Sequence, residues 1–168
     1  MKRVLIISDT HIPNVALELP KEIIEEAKRS DIIIHAGDII SIDVLNELKY
    51  YADVYAVRGN MDRFDEATYS LPEKLLINIE DIKVGVTHGS GAPWGIIKRV
   101  NKVFSNLEDL DIIIFGHTHH PLVEQKDGRL YINPGSPTDK RYAPYNSYAI
   151  LEIDGKKIQA EIIKIKGA

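Results

Sequence analysis

Five short apolar runs, mostly β-branched, constrain this sequence more than any other feature, because each ends in a cluster of polar side chains. Arg3–Ser8 leads into Asp9-Thr10-His11, and Asp31–Ile34 into His35-Ala36-Gly37-Asp38. Asp53–Val57 leads into Arg58-Gly59-Asn60-Met61-Asp62, and Lys83–Val86 into Thr87-His88-Gly89. Asp111–Phe115 leads into Gly116-His117-Thr118-His119. Runs of this length and composition predict buried strands and are far too short to span a membrane. Between the first three, Pro20–Lys28 and Ile42–Leu48 carry apolar residues at helical spacing. This βαβαβ order predicts parallel strands joined by right-handed crossovers.

The second half changes character. Leu75–Ile79 and Lys83–Val86 flank Glu80-Asp81 and predict a hairpin, and Trp94–Phe104 carries Ile97, Val100 and Phe104 at helical spacing. Leu122–Glu124, Leu130–Ile132, Tyr148–Ile153 and Lys157–Ile165 predict further strands, joined in part by turns at Lys126-Asp127-Gly128 and Asp154-Gly155. A parallel pattern followed by hairpins predicts a mixed α+β sandwich rather than a doubly wound sheet. With 168 residues, no repeat and no linker, a single domain over 1–168 is expected.

Composition removes several function classes. The chain has no cysteine, which excludes disulfides, thiolate zinc sites and a catalytic thiol. A net charge of −4 argues against a non-specific grip on nucleic acid, and no added nucleic-acid-binding element stands out. The apolar part of the opening Met1–Ile7 is too short for a signal peptide, so a cytoplasmic location with no membrane partner is expected.

The carboxyl ends of strands in α/β sheets are where ligands bind. Within Asp9-Thr10-His11, side chains two apart in extended backbone face the same way and can converge. Singly, Gly37-Asp38 and Gly59-Asn60 are ordinary turn sequences and His88-Gly89 an ordinary strand end; the force lies in their combination. Asp9, His11, Asp38, Asn60, His88, His117 and His119 supply seven oxygen and nitrogen donors to one rim. That is too many for one tetrahedral ion, and it suits two adjacent first-row metals with a bridging carboxylate. Two ions about 4 Å apart clamp a phosphoryl group and generate a hydroxide nucleophile near neutral pH. His35, inside an apolar strand, is read as a hydrogen-bonded core residue and not as a ligand.

In order and spacing, these five motifs resemble the calcineurin-like metallophosphoesterases. The short length and Asn133-Pro134-Gly135-Ser136 look most like their small bacterial and archaeal phosphodiesterases. The resemblance implies a four-layer αββα sandwich of two mixed sheets. It implies one ion on Asp9, His11, Asp38 and His119 and another on Asp38, Asn60, His88 and His117, with Asp38 bridging. The ions would be manganese foremost, or nickel, iron or zinc. Asn60 would also contact the phosphate, and a metal-bridging hydroxide would attack a small phosphodiester substrate.

One departure matters. Relatives often carry a proton-donating His after this Asn, whereas this chain has Asn60-Met61-Asp62, which leaves Asp62 and His120 as candidate acids. Arg141 is a candidate substrate contact, since a guanidinium suits phosphate oxygens. The competing expectations are a phosphomonoesterase or nucleotidase on the same site, and a non-catalytic protein-binding scaffold like the retromer subunit that resembles this fold. Association into a homo-oligomer is also compatible with the sequence.

Overall fold

The structure, a computed structural model, describes residues 1–166. In the first strand, β1 (Lys2–Ile7), alternate residues divide between two cores. Val4 and Ile6 face a second sheet, while Leu5 and Ile7 face helices. The same division holds along β2 (Ile32–His35), which runs parallel to β1 with Val4 opposite Ile32. Between them, α1 (Lys21–Arg29) presses Ile23 and Ala27 onto the outer face of the sheet. The helix α2 (Asp43–Leu48) does the same with Val44, Leu45 and Leu48, ahead of the parallel strand β3 (Asp53–Ala56). Truncating a fully buried side chain such as Ile23 to alanine would cost about 2–5 kcal/mol.

A four-residue helix not anticipated from the sequence, α3 (Glu66–Tyr69), follows. Asp65 caps it by accepting from the Ala67 N–H at 3.0 Å and also accepts from the Ile42 N–H at 2.9 Å. The loops that follow β2 and β3 are thereby tied together.

The hairpin is present as β4 (Lys74–Ile79) and β5 (Ile82–Thr87), turning at Glu80-Asp81. The next helix, α4, spans Ile96–Val103 and not the wider range expected. Gly95, at φ 78°, lies in the left-handed region and cannot continue a helix, so Trp94 falls in the preceding loop. The strands β6 (Ile112–Ile114), β7 (Leu122–Lys126), β8 (Arg129–Asn133), β9 (Ser147–Asp154) and β10 (Lys157–Lys164) complete the chain.

Two mixed five-stranded sheets result, ordered β10-β9-β1-β2-β3 and β4-β5-β6-β8-β7. They face each other across a core that includes Val4, Ile34, Val84, Ile112 and Leu151. Helices α1 and α2 cover the first sheet. On the second, α4 packs Val100 and, just past its end, Phe104 against Ile113 and Phe115. This is the expected α+β sandwich in four layers. Among the described residues, no helix is long and apolar enough to cross a membrane.

Candidate metal centre

The polar clusters after β1, β2, β3, β5 and β6 meet on one rim, so the site draws on both sheets. Asp9, His11, Asp38 and Asn60 come from the first sheet, and His88, His117 and His119 from the second. Asp9, His11, Asp38, His117 and His119 all have positive φ, between 45° and 73°. Such backbone costs on the order of 1–3 kcal/mol per residue and persists only where the surroundings hold it. Here they do: the Asp9 N–H donates to the Gly37 carbonyl at 2.9 Å and the His11 N–H to the Asp38 carbonyl at 3.0 Å. Gly59 permits the closest approach, since a Cβ there would lie 2.2 Å from Asp38 Oδ1.

Two clusters of mutually close donor atoms form, Asp9–His11–His119 and Asp9–Asp38–His88. Asp9 belongs to both clusters, and Asp38 Oδ2, 3.4 Å from His11 Nε2 and 3.3 Å from His88 Nε2, also reaches a histidine of each. Asp9 Oδ1 lies 3.4 Å from His119 Nε2 and 3.8 Å from His88 Nε2. Asn60 Oδ1 sits 3.0 Å from His88 Nε2 and 3.2 Å from His117 Nδ1. His117 stands at the edge, its ring centroid 5.3 Å from that of His88.

The outer nitrogens of three histidines are already committed. His88 Nδ1 donates to the Ala36 carbonyl at 2.7 Å, and His117 Nε2 donates to the Gly91 carbonyl at 3.0 Å. His119 Nδ1 meets Asp139 Oδ2 at 2.5 Å. When neutral, an imidazole has one proton, so with its outer nitrogen donating each ring would turn an unprotonated nitrogen inward. Two ring nitrogens thus converge on Asn60 Oδ1, and in their neutral forms both would present lone pairs there. Asp9 Oδ1 and His11 Nε2 are buried without a hydrogen-bond partner. Orphaned acceptors of this kind, all oxygen and nitrogen, fit a divalent cation.

The electrostatics of the bare protein agree. Burial opposes charge on His88, yet Asp38 and Asp9 outweigh it and raise its pKa to about 9. His119 is raised to about 9 against burial by Asp9 and Asp139. Burial would raise the Asp9 carboxyl, but the surrounding histidines hold it well below the usual carboxylate range. At neutral pH His88 and His119 are therefore protonated on both nitrogens, and a cation bound at their inner nitrogens would displace those protons.

The expectation for Asp62 is corrected. It is buried, and its two oxygens accept four backbone N–H bonds, from Asp38 and Gly59 on one and Ile39 and Ile40 on the other, at 2.8–3.0 Å. Such a carboxylate braces two loops and has no free face toward a substrate. His120, by contrast, is exposed in a cleft of about 550 Å³ that His11, Asp38, Asn60, His117 and Tyr142 also line. Arg141 does not line this cleft; its guanidinium lies 5.9 Å from the Tyr142 ring, and its N–H donates to Asp139. His35 is fully buried, 3.0 Å from Thr10 Oγ1, and burial lowers its pKa to about 3, as befits a neutral core residue.

Sequence reasoning missed Asp139. Burial would raise its carboxyl, but His119 and the N–H groups of Arg141 and Tyr142 outweigh this and hold it below the usual range. Asn133-Pro134-Gly135-Ser136 is more than a turn. Ser136 Oγ donates to the Asp9 carbonyl at 2.7 Å, and Asn133 Nδ2 donates to the Gly116 carbonyl at 3.1 Å.

Comparison with known proteins accords with this geometry. The chain is 40% identical over 159 residues to a probable metallophosphoesterase of Methanothermobacter thermautotrophicus, covering 95% of this chain and 90% of that one. It resembles the structure of vacuolar protein sorting 29 from Cryptosporidium parvum, with a TM-score of 0.84, 28% identity and coverage of 99% and 92%. An archaeal phosphodiesterase structure matches with a TM-score of 0.71 and 26% identity, covering 96% and 99%. A family model for the calcineurin-like phosphoesterase superfamily domain matches residues 1–156, and the chain belongs to that superfamily.

Proposed function

We propose that the chain, acting as a single domain, hydrolyses small phosphodiesters with two divalent first-row ions, manganese foremost. Asp9, His11, Asp38 and His119 would hold one, and Asp38, Asn60, His88 and His117 the other. The convergence of His88 Nε2, His117 Nδ1 and Asn60 Oδ1 beside Asp38 carries this reading. Bound there, the ions would polarise the phosphoryl oxygens and lower the pKa of an attacking water.

The protein's own groups do the rest. Asn60, with Oδ1 turned to His88 and His117, keeps Nδ2 for a phosphoryl oxygen. Asp139 holds His119 in one tautomer, and the Ala36 carbonyl does the same for His88. Of the two acids considered, only His120 reaches the cleft. A positioned acid is worth about 10²–10⁴-fold. Nitrophenyl diesters should therefore be cleaved faster than alkyl diesters unless His120 donates, and in that case His120→Gln should steepen the dependence on leaving-group pKa.

The deciding experiment is hydrolysis of mono- and diesters after reconstitution with Mn²⁺, Ni²⁺, Fe²⁺ or Zn²⁺. Diester hydrolysis abolished by chelator supports the reading, and a preference for monoesters would make the chain a phosphomonoesterase or nucleotidase. Inactivity with every ion would favour the protein-binding scaffold, a reading supported by the likeness to vacuolar protein sorting 29.

A further inference from the structure

The carbonyl that fixes His117 belongs to Gly91, in the irregular loop between β5 and α4. Arg99 on α4 orders this loop. Its Nε donates to the Ser90 carbonyl at 2.7 Å, Nη1 to the Trp94 carbonyl at 3.2 Å, and Nη2 to the Ala92 carbonyl. Carbonyls 90 and 92 thus face the guanidinium, and carbonyl 91 between them faces His117. Gly91 has φ 78°, and a Cβ there would lie 3.0 Å from Arg99 Nε, so the loop wraps the guanidinium only because this position carries no side chain. The loop also partitions two cavities. Gly91 and Pro93 line the cleft, whereas Gly89, Ser90 and Arg99, with His88, line a cavity of about 300 Å³ that adjoins it at Asn60. Arg99 lines only this second cavity.

We propose that Arg99 is a positioning residue for His117. By clamping the carbonyls of Ser90 and Ala92, it presents the Gly91 carbonyl to the His117 Nε2–H. That holds the imidazole in the Nε2–H tautomer and keeps Nδ1 bare toward Asn60. A planar fork reaching three carbonyls is a geometry that lysine cannot reproduce. The inference rests on the reading of His117 as a donor to an ion. Loss of such an outer partner typically weakens metal affinity 10–100-fold.

Nitrogen-15 spectra of the histidines in chelated, metal-free protein at about pH 8 test the tautomer directly, since neutral imidazoles report which nitrogen carries hydrogen. Wild-type protein should show His117 as Nε2–H. Arg99→Gln should give mixed tautomers and lower the fluorescence anisotropy of Trp94, the only tryptophan of the chain. It should also weaken one divalent equivalent about 10–100-fold in calorimetric titration and leave the other unchanged. Arg99→Lys should not restore the wild-type spectrum. Gly91→Ala, which leaves Arg99 and His117 in place, should shift the tautomer in the same direction and decides the matter if Arg99→Gln does not fold. An Nδ1–H tautomer in wild-type protein would overturn the proposal, as would wild-type spectra and affinities in both variants. Should wild-type protein bind a single ion, the two-ion reading fails, while the metal-free spectra still decide the role of Arg99.

Discussion

Asp139 Oδ2 lies 2.5 Å from His119 Nδ1, and the same oxygen accepts the N–H groups of Tyr142 and Ala143 at 2.9 Å. A carboxylate held this way cannot swing aside, so the imidazole it contacts keeps Nε2 aimed at Asp9. Asp139→Ala is expected to lower divalent-ion affinity about 10–100-fold in calorimetric titration. Unchanged affinity in a folded variant would remove Asp139 from the site.

Because His88 and His119 are each raised to about 9 in the bare protein, ion binding at neutral pH must expel their protons. Affinity should therefore climb as pH rises toward 9. Titrations in buffers of different ionisation enthalpy should show net proton release near pH 7. Heats that do not vary with the buffer would contradict the proposed donor set.

The stability of chelated protein should peak near pH 6.5. His88 and His119, raised from 6.5 to about 9, contribute stability that is complete below 6.5 and lost as pH climbs through 9. His35, lowered from 6.5 to about 3 by burial, contributes stability present above 6.5 and lost as pH falls toward 3. Urea unfolding across this range measures both limbs, and one proton corresponds to a slope of up to about 1.4 kcal/mol per pH unit. His35→Gln should flatten the acidic limb and leave the alkaline limb in place.

Asp62→Ala should act on stability. It strands the N–H groups of Asp38, Ile39, Ile40 and Gly59, and buried unsatisfied donors cost about 1–3 kcal/mol each. We expect a large fall in the thermal midpoint. The gentler Asp62→Asn should leave the leaving-group dependence of hydrolysis unaltered; a steeper dependence would restore Asp62 as an acid.

The residues that meet at the site were legible because a strand end is a local feature: Asp9, His11, Asp38, His88 and His119 each follow a short, β-branched apolar run that reads as a strand. The mixed sheets were legible for the same reason, since the early crossovers and later hairpins carry different turn chemistry. What stayed hidden depends on distant partners. Asp62 reads as a loop carboxylate until Ile39 and Ile40, over 20 residues earlier, are seen to donate to it. Asp139 is unmarked until His119 is beside it. The start of α4 was misplaced because apolar spacing at Trp94 and Ile97 says nothing about the left-handed backbone at Gly95.

The donors of the rim divide four and three between the two sheets, and this division has a mechanical consequence. An ion gripped from both sides would act as a rivet through the seam of the sandwich, at an edge where apolar packing gives way to polar side chains. The layers could then part at that edge only after the rivet was drawn. At a free concentration of 100 times its dissociation constant, a single such ion adds about 2.7 kcal/mol to the work of opening. The same ion that would turn a phosphate over would, between turnovers, keep the two halves of the molecule shut.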